Sequence, residues 1–115
     1  MPQRWSQDQV RAFALSLPET HEHAHMGRPD LRVRNKIFAT LPEDGRTVNI
    51  KITPLALDVL MRTDAETYRD AWGSRWVGVE LARIEPAELC ELIVDGYCLA
   101  APKSLGARVR AEVRT

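Results

Sequence analysis

Residues 25–41, HMGRPDLRVRNKIFATL, hold the pattern that decides the fold. Leu31 and Val33 alternate with Arg32 and Arg34, and Asn35 and Lys36 follow as turn material. Ile37, Phe38, Ala39 and Leu41 then make a second, mostly apolar strand. Alternation of this kind marks a strand with one face in a core and the other in water. The resulting hairpin carries cations on one side and core residues on the other. Its parity can be tested against loop length. A two-residue loop would put Ile37, Ala39 and Leu41 on the face of Arg32. A three-residue loop aligns them with Leu31 and Val33 and gives Asn35 or Lys36 a left-handed backbone. The pattern predicts the three-residue loop. Gly27, Arg28, Pro29 and Asp30, just upstream, read as a turn.

On the N-terminal side, Ser6 and Gln9 form a capping-box pair, with Trp5 and Val10 placed as a hydrophobic staple. Val10, Phe13, Ala14 and Leu17 then trace one helical stripe up to Pro18. Residues 20–25, THEHAH, read as a short polar edge strand. On the C-terminal side, residues 42–46 reverse the chain. Val48, Ile50 and Ile52 alternate with Thr47, Asn49 and Lys51 as a half-buried strand. Thr53-Pro54 opens a helix, cap residue then proline, with Leu57, Leu60 and Met61 as its buried stripe. Residues 63–75 read as a long connection with a helical turn around Thr67 to Trp72. Val77, Val79 and Leu81 mark another strand. Glu85-Pro86 starts a helix bearing Leu89, Leu92 and Ile93, which Asp95-Gly96 is expected to break before a last helical segment to about Arg110. The class is α+β in two layers: a mainly antiparallel sheet of about five strands packed against helices.

The bulk numbers bound the function. A chain of 115 residues is read as a single domain, 1–115. Sixteen basic residues balance sixteen acidic ones, so net charge is zero. Any binding to nucleic acid must therefore rest on a local patch. Cys90 and Cys98 lie eight residues apart. On one helix that is roughly 12 Å of rise, too far for a disulfide, so both are read as reduced thiols. The start of the chain has no apolar signal core and no run approaches a membrane span, so the protein is expected to be soluble and cytoplasmic, with no membrane partner.

The strings 25–33 (HMGRPDLRV), 36–41 (KIFATL), 48–51 (VNIK), 76–81 (WVGVEL) and 97–103 (YCLAAPK), in this order and spacing, resemble the MmcQ/YjbR-like family of small bacterial proteins. The likeness covers nearly the whole chain. It implies a secretion-chaperone-like α+β fold and the description such proteins usually carry, a DNA-binding protein with a double-wing motif. Family members often have glycine where this chain has Arg34-Asn35. Secretion-chaperone-like relatives often dimerise, which implies a homodimer or a protein- or peptide-binding adaptor as the alternative.

The residues themselves supply a candidate surface. Arg32 and Arg34 are read as sharing a strand face, with Lys36 at the turn and Lys51 on a nearby strand; Arg28 and Arg75 can join them. Guanidinium groups fork onto phosphate oxygens and a two-stranded ribbon fits the major groove. Trp72 and Trp76 offer stacking surfaces. The plainer account is a solvated face whose cations pair with Glu22, Glu43 or Glu80. His21, His23 and His25 alternate along one strand, about 6.5–7 Å apart, so the outer two are too distant to share an ion. They read as a blunted sheet edge, the alternative being two of them sharing a metal with a carboxylate. No metal or cofactor is expected. Ser74 and Cys90 have no histidine nearby in sequence, Glu43 and Asp44 sit at a turn for backbone reasons, and no glycine-rich phosphate loop is present. The expectation is a non-enzymatic DNA-binding protein that uses a basic hairpin and has no catalytic residues.

Overall fold

The computed structural model describes residues 4–25 and 27–114, the side chains of residues 25, 113 and 114 excepted. Helix α1 (Gln7–Leu15) starts at the expected capping box: the Ser6 hydroxyl accepts the Gln9 N–H at 3.3 Å, and Gln9 Oε1 accepts the Ser6 N–H at 2.9 Å. Trp5 places its ring on Phe13, centroids 5.8 Å apart, while Val10 and Ala14 are fully buried. The polar segment after α1 is strand β1 (Thr20–His25), and it does lie at a sheet edge.

The sheet continues through β2 (Arg28–Val33), β3 (Lys36–Thr40), β4 (Thr47–Lys51), β5 (Tyr68–Trp72) and β6 (Trp76–Glu80), in the spatial order β1-β2-β3-β4-β6-β5. Every neighbouring pair is antiparallel. The class is therefore α+β, with six strands among the described residues. The strand beyond the expected five is β5, within the segment read as a connection. Tyr68 is its only buried residue, so a two-residue apolar period never shows in the sequence.

Two further differences have a register cause. The residues read as a turn at 28–30 belong to β2: Gly27, at φ 79°, supplies left-handed backbone just before Arg28, which pairs with His25. The β2–β3 loop has two residues rather than three: Val33 pairs with Lys36, and Arg34 and Asn35 are both left-handed, at φ 47° and 68°. That is the turn form that suits the strand twist. Parity is restored by a bulge. Leu31 faces Ala39 while Arg32 faces Ile37, so Phe38 is the extra residue and both Phe38 and Ala39 reach the core. Ile37 is left beside Arg32, half-buried.

All the helices pack on one side. α1 lies on β1 and β2, α2 (Pro54–Thr63) on β5, and α3 (Pro86–Ala100) across β3 and β4; α4 (Lys103–Arg114) packs on α3. Thr53 caps α2 by accepting the Ala56 N–H at 3.3 Å. Leu57 is buried and Leu60 half-buried, but Met61 faces water. α3 runs unbroken through Asp95-Gly96, contrary to the break expected there. Gly96 is a packing residue: an added Cβ would stand 2.7 Å from Ile50 Cγ2 and 2.9 Å from the Lys51 carbonyl. Next to it, Tyr97 meets Phe38 edge-on at 5.6 Å and donates its hydroxyl to the Pro18 carbonyl at 2.8 Å. One aromatic thus ties α3 to both β3 and the end of α1. Cys90 and Cys98 are half-buried free thiols on this same helix.

Gly96→Ala gains helix propensity but forces α3 off the sheet, and overpacking of this kind costs about 1–3 kcal/mol. Urea titration should show a lowered midpoint; a variant as stable as the wild type would mean the contact is looser than these distances.

Candidate functional site

Because the helices occupy one face, the other face of the sheet stands open. Inward residues along the strands are Leu31, Val33, Val48, Ile50, Val77 and Val79, all fully buried. Outward residues line up across the strands in two rows. One runs His23, Asp30, Thr40, Asn49, Gly78, Arg69. The other, nearer the Arg34-Asn35 turn, holds His21, Arg32 and Ile37 on one side and Lys51, Trp76 and Trp72 on the other.

Trp72 owes its place to a second bulge. Tyr68 points inward, so simple alternation would turn Trp72 inward as well. The register shifts between Asp70 and Trp72, which sets Trp72 opposite Trp76 on the open face. It is 76% exposed. A shallow slot of about 190 Å³ lies between the two indoles and is lined by Thr40, Asn49 and Ala71. Asn49 Nδ2 donates to Thr40 Oγ1 at 3.2 Å. Trp76 also walls a larger groove of about 580 Å³ at the end of the sheet, whose other sides are Arg32, Asn35, Lys36, Ile37 and Lys51 together with Leu99 and Ala100 of α3. The Lys51 ammonium sits 5.3 Å from the Trp76 ring centroid, a cation–π contact.

The expected cations thus have different fates. Arg32, Lys36, Lys51 and Trp76 line one groove at the end of the sheet, and Trp72 lies opposite Trp76. Arg28 does not; it lies at the far end of β2, 3.8 Å from Glu43. Arg75 is exposed at the β5–β6 turn. Arg32 and Arg34 do not share a face, because Arg34 lies in the turn itself and reaches Glu19, with Arg108 of α4 and Tyr97 of α3 in its electrostatic neighbourhood. The Arg34 fork is bidentate, Nε and Nη2 on the Glu19 carboxylate at 2.7 and 3.2 Å. Arg32 is engaged at all three nitrogens, by Asp30 at 2.8 and 3.2 Å and by Asn35 Oδ1 at 2.9 Å. Its side chain is 16% exposed and that of Asp30 only 4%. Among the described residues, Lys36 and Arg75 have no ion-pair partner and Lys51 has only the indole.

Other sequence candidates have structural employment. Asp44 accepts from the Arg46 and Thr47 amides and the Thr47 hydroxyl, and these bonds hold its carboxyl below the ordinary range. Ser74 is bound to Asp70 through its amide and hydroxyl. Burial pushes the Cys90 thiol up, so it stays protonated. His21 and His23 are exposed; His25 lies outside the described side chains. Among the described residues, no three His, Cys, Asp or Glu side chains are grouped to hold a metal. Nor is any described helix long and apolar enough to cross a membrane. Asn49, Thr40 and Ile37 were not singled out in the sequence, since only the sheet register brings them beside the tryptophans.

The family model of YjbR matches residues 15–99. The chain belongs to the YjbR family. No curated protein matches it. This YjbR chain is similar to the crystal structure of the Deinococcus radiodurans protein DR2400, domain DUF419, with a TM-score of 0.75 and 22% identity over 90% of this chain and 83% of that one. It is also similar to a crystal structure of a protein from Pseudomonas syringae, with a TM-score of 0.65 and 15% identity over 84% of this chain and all of that one. At these identities the likeness speaks to the YjbR fold alone.

Arg34 lowers the Glu19 carboxyl below its ordinary value of 4.5. The pair therefore contributes to stability above that pH, and the contribution fades as pH falls through the lower folded value. Followed by NMR, the Glu19 titration should move up toward 4.5 in Arg34→Ala. An unmoved midpoint would show that the pair does not form in solution.

Proposed function

We propose that this chain is a non-enzymatic DNA-binding protein, and that DNA lies along the end of the sheet that holds Lys36, Lys51, Arg75 and the two tryptophans. The observation that carries this reading is the pairing of cations free of carboxylates with an indole 76% exposed, at one end of the sheet. Free lysine and arginine neutralise phosphates and release counterions, which supplies sequence-independent affinity even on a chain of zero net charge. Aromatic side chains beside such cations are the usual partners of bases.

The arginines of the hairpin take a smaller part than their number suggests. Arg32 is held at all three nitrogens by Asp30 and Asn35, so it braces the groove wall and the turn. Arg34 keeps one nitrogen, Nη1, outside its bonds to Glu19, and can offer a single phosphate contact. The double wing implied by the family resemblance then has one working tip, at Lys36, with Lys51 on the adjoining strand β4 and Arg75 at the β5–β6 turn. Arg28 stands apart at the other end of β2.

Binding of fluorescein-labelled DNA, measured by anisotropy across a series of salt concentrations, tests the reading. Affinity should fall linearly on a log–log scale. The triple variant Lys36→Ala/Lys51→Ala/Arg75→Ala should bind more weakly and flatten the slope by roughly 2–3. Arg34→Ala should change it by less. Absence of binding at low salt, or a triple variant that binds like the wild type, would remove the proposal.

A further inference from the structure

Resting on the DNA reading above, we infer that the ligand is an unpaired strand, and that the slot between Trp72 and Trp76 receives one of its bases. Three features of the slot converge on this. The first is the exposed indole. In a duplex each base is stacked between its neighbours and offers only its edges in the grooves, so a bare tryptophan on a sheet face finds no π-surface there. An unpaired base has one, and stacking on an aromatic side chain is a recurrent source of single-strand affinity.

The second feature is the floor. Asn49 uses one N–H on Thr40, which leaves its carbonyl oxygen and second N–H unengaged and half-buried beside the indoles. A carboxamide presents one donor and one acceptor side by side, which matches the hydrogen-bonding edge of an unstacked base. The slot, at about 190 Å³, is small and shallow, fit for a flat ring rather than for an extended ligand.

The third is the flanking charge. Lys51 stands at the Trp76 side. On the next outward row, Arg69 lies flat across Gly78: a Cβ on that glycine would come within 3.1 Å of Arg69 Cγ and Nε. The absence of a side chain at Gly78 is what lets this guanidinium rest on the sheet beside the slot. Its only ionic contact among the described residues is a 3.4 Å one to Glu80. Cations on two sides of a stacking site suit a backbone that passes over it. The bulge at Asp70/Trp72 is what assembles the set, since without it the indole would turn away from Trp76.

Oligo(dT) of about 20 nucleotides, the same oligomer annealed to oligo(dA), and thymidine monophosphate are compared by anisotropy or competition and by quenching of tryptophan emission. The single strand should bind at least about tenfold more tightly than the duplex at equal salt, and far more tightly than the monophosphate. Trp72→Ala should lower single-strand affinity about 10–100-fold and duplex affinity by much less; Trp72→Phe should restore much of the single-strand affinity. Trp72 is at an exposed edge, so these variants keep the fold. Equal binding of duplex and single strand, a monophosphate as tight as the oligomer, or single-strand affinity indifferent to Trp72→Ala overturns this inference while leaving DNA binding in place. Binding of no DNA form overturns both readings.

Discussion

The close seat of α3 on the middle of the sheet governs the rest of the molecule. Gly96 brings the helix backbone against Ile50 and the Lys51 carbonyl, at a separation no other residue permits. Tyr97, one residue on, takes up the space toward Phe38 and reaches the Pro18 carbonyl. With α3 so placed, α1 and α4 flank it and α2 closes the β5 end, and the helices serve a single face. The opposite face is then left to its own side chains, and its chemistry is decided by which residues the register turns outward.

Two bulges make that register depart from simple alternation, and each changes the site. The first lets a two-residue turn coexist with an inward Phe38 and Ala39, and it places Ile37 and Arg32 together on the outside. The second rotates Trp72 onto the open face beside Trp76. Bulges commonly re-aim side chains near functional surfaces. Here they convert two strands with ordinary sequences into the walls of a groove and a slot.

Electrostatics on this surface depends more on partners than on counting charges. The two most conspicuous cations in the sequence, Arg32 and Arg34, are the ones most fully matched by carboxylates of their own chain. Their work is local: Arg32 holds Asp30 and Asn35, and Arg34, itself in a left-handed conformation that a branched residue would resist, is held by Glu19. The exposed Arg34–Glu19 pair adds little stability, so its value lies in fixing the turn. Cations without such partners, Lys36 on the hairpin, Lys51 on β4 and Arg75 at the β5–β6 turn, are the ones able to meet a phosphate.

Apolar periodicity by itself determined most of the architecture: the capped first helix, the hairpin, the alternating strand from Thr47, the strand from Trp76 and the helix begun by Thr53-Pro54 were all legible, as was the two-layer class. Local chemistry of caps and two-residue periods needs no distant partner, so it can be read from neighbours in the chain. Strand β5 could not be read this way, because only Tyr68 in it is buried, and Gly96 read as a breaker because its reason, Ile50, lies far off in sequence. Arg32, Lys36, Lys51, Trp72 and Trp76 were visible as candidates, but their grouping, the separation of Arg28 and the pairing of Arg34 with Glu19 were not. Those relations are set by register and bulges, which depend on how strands meet across the sheet, and only the tertiary structure decides that.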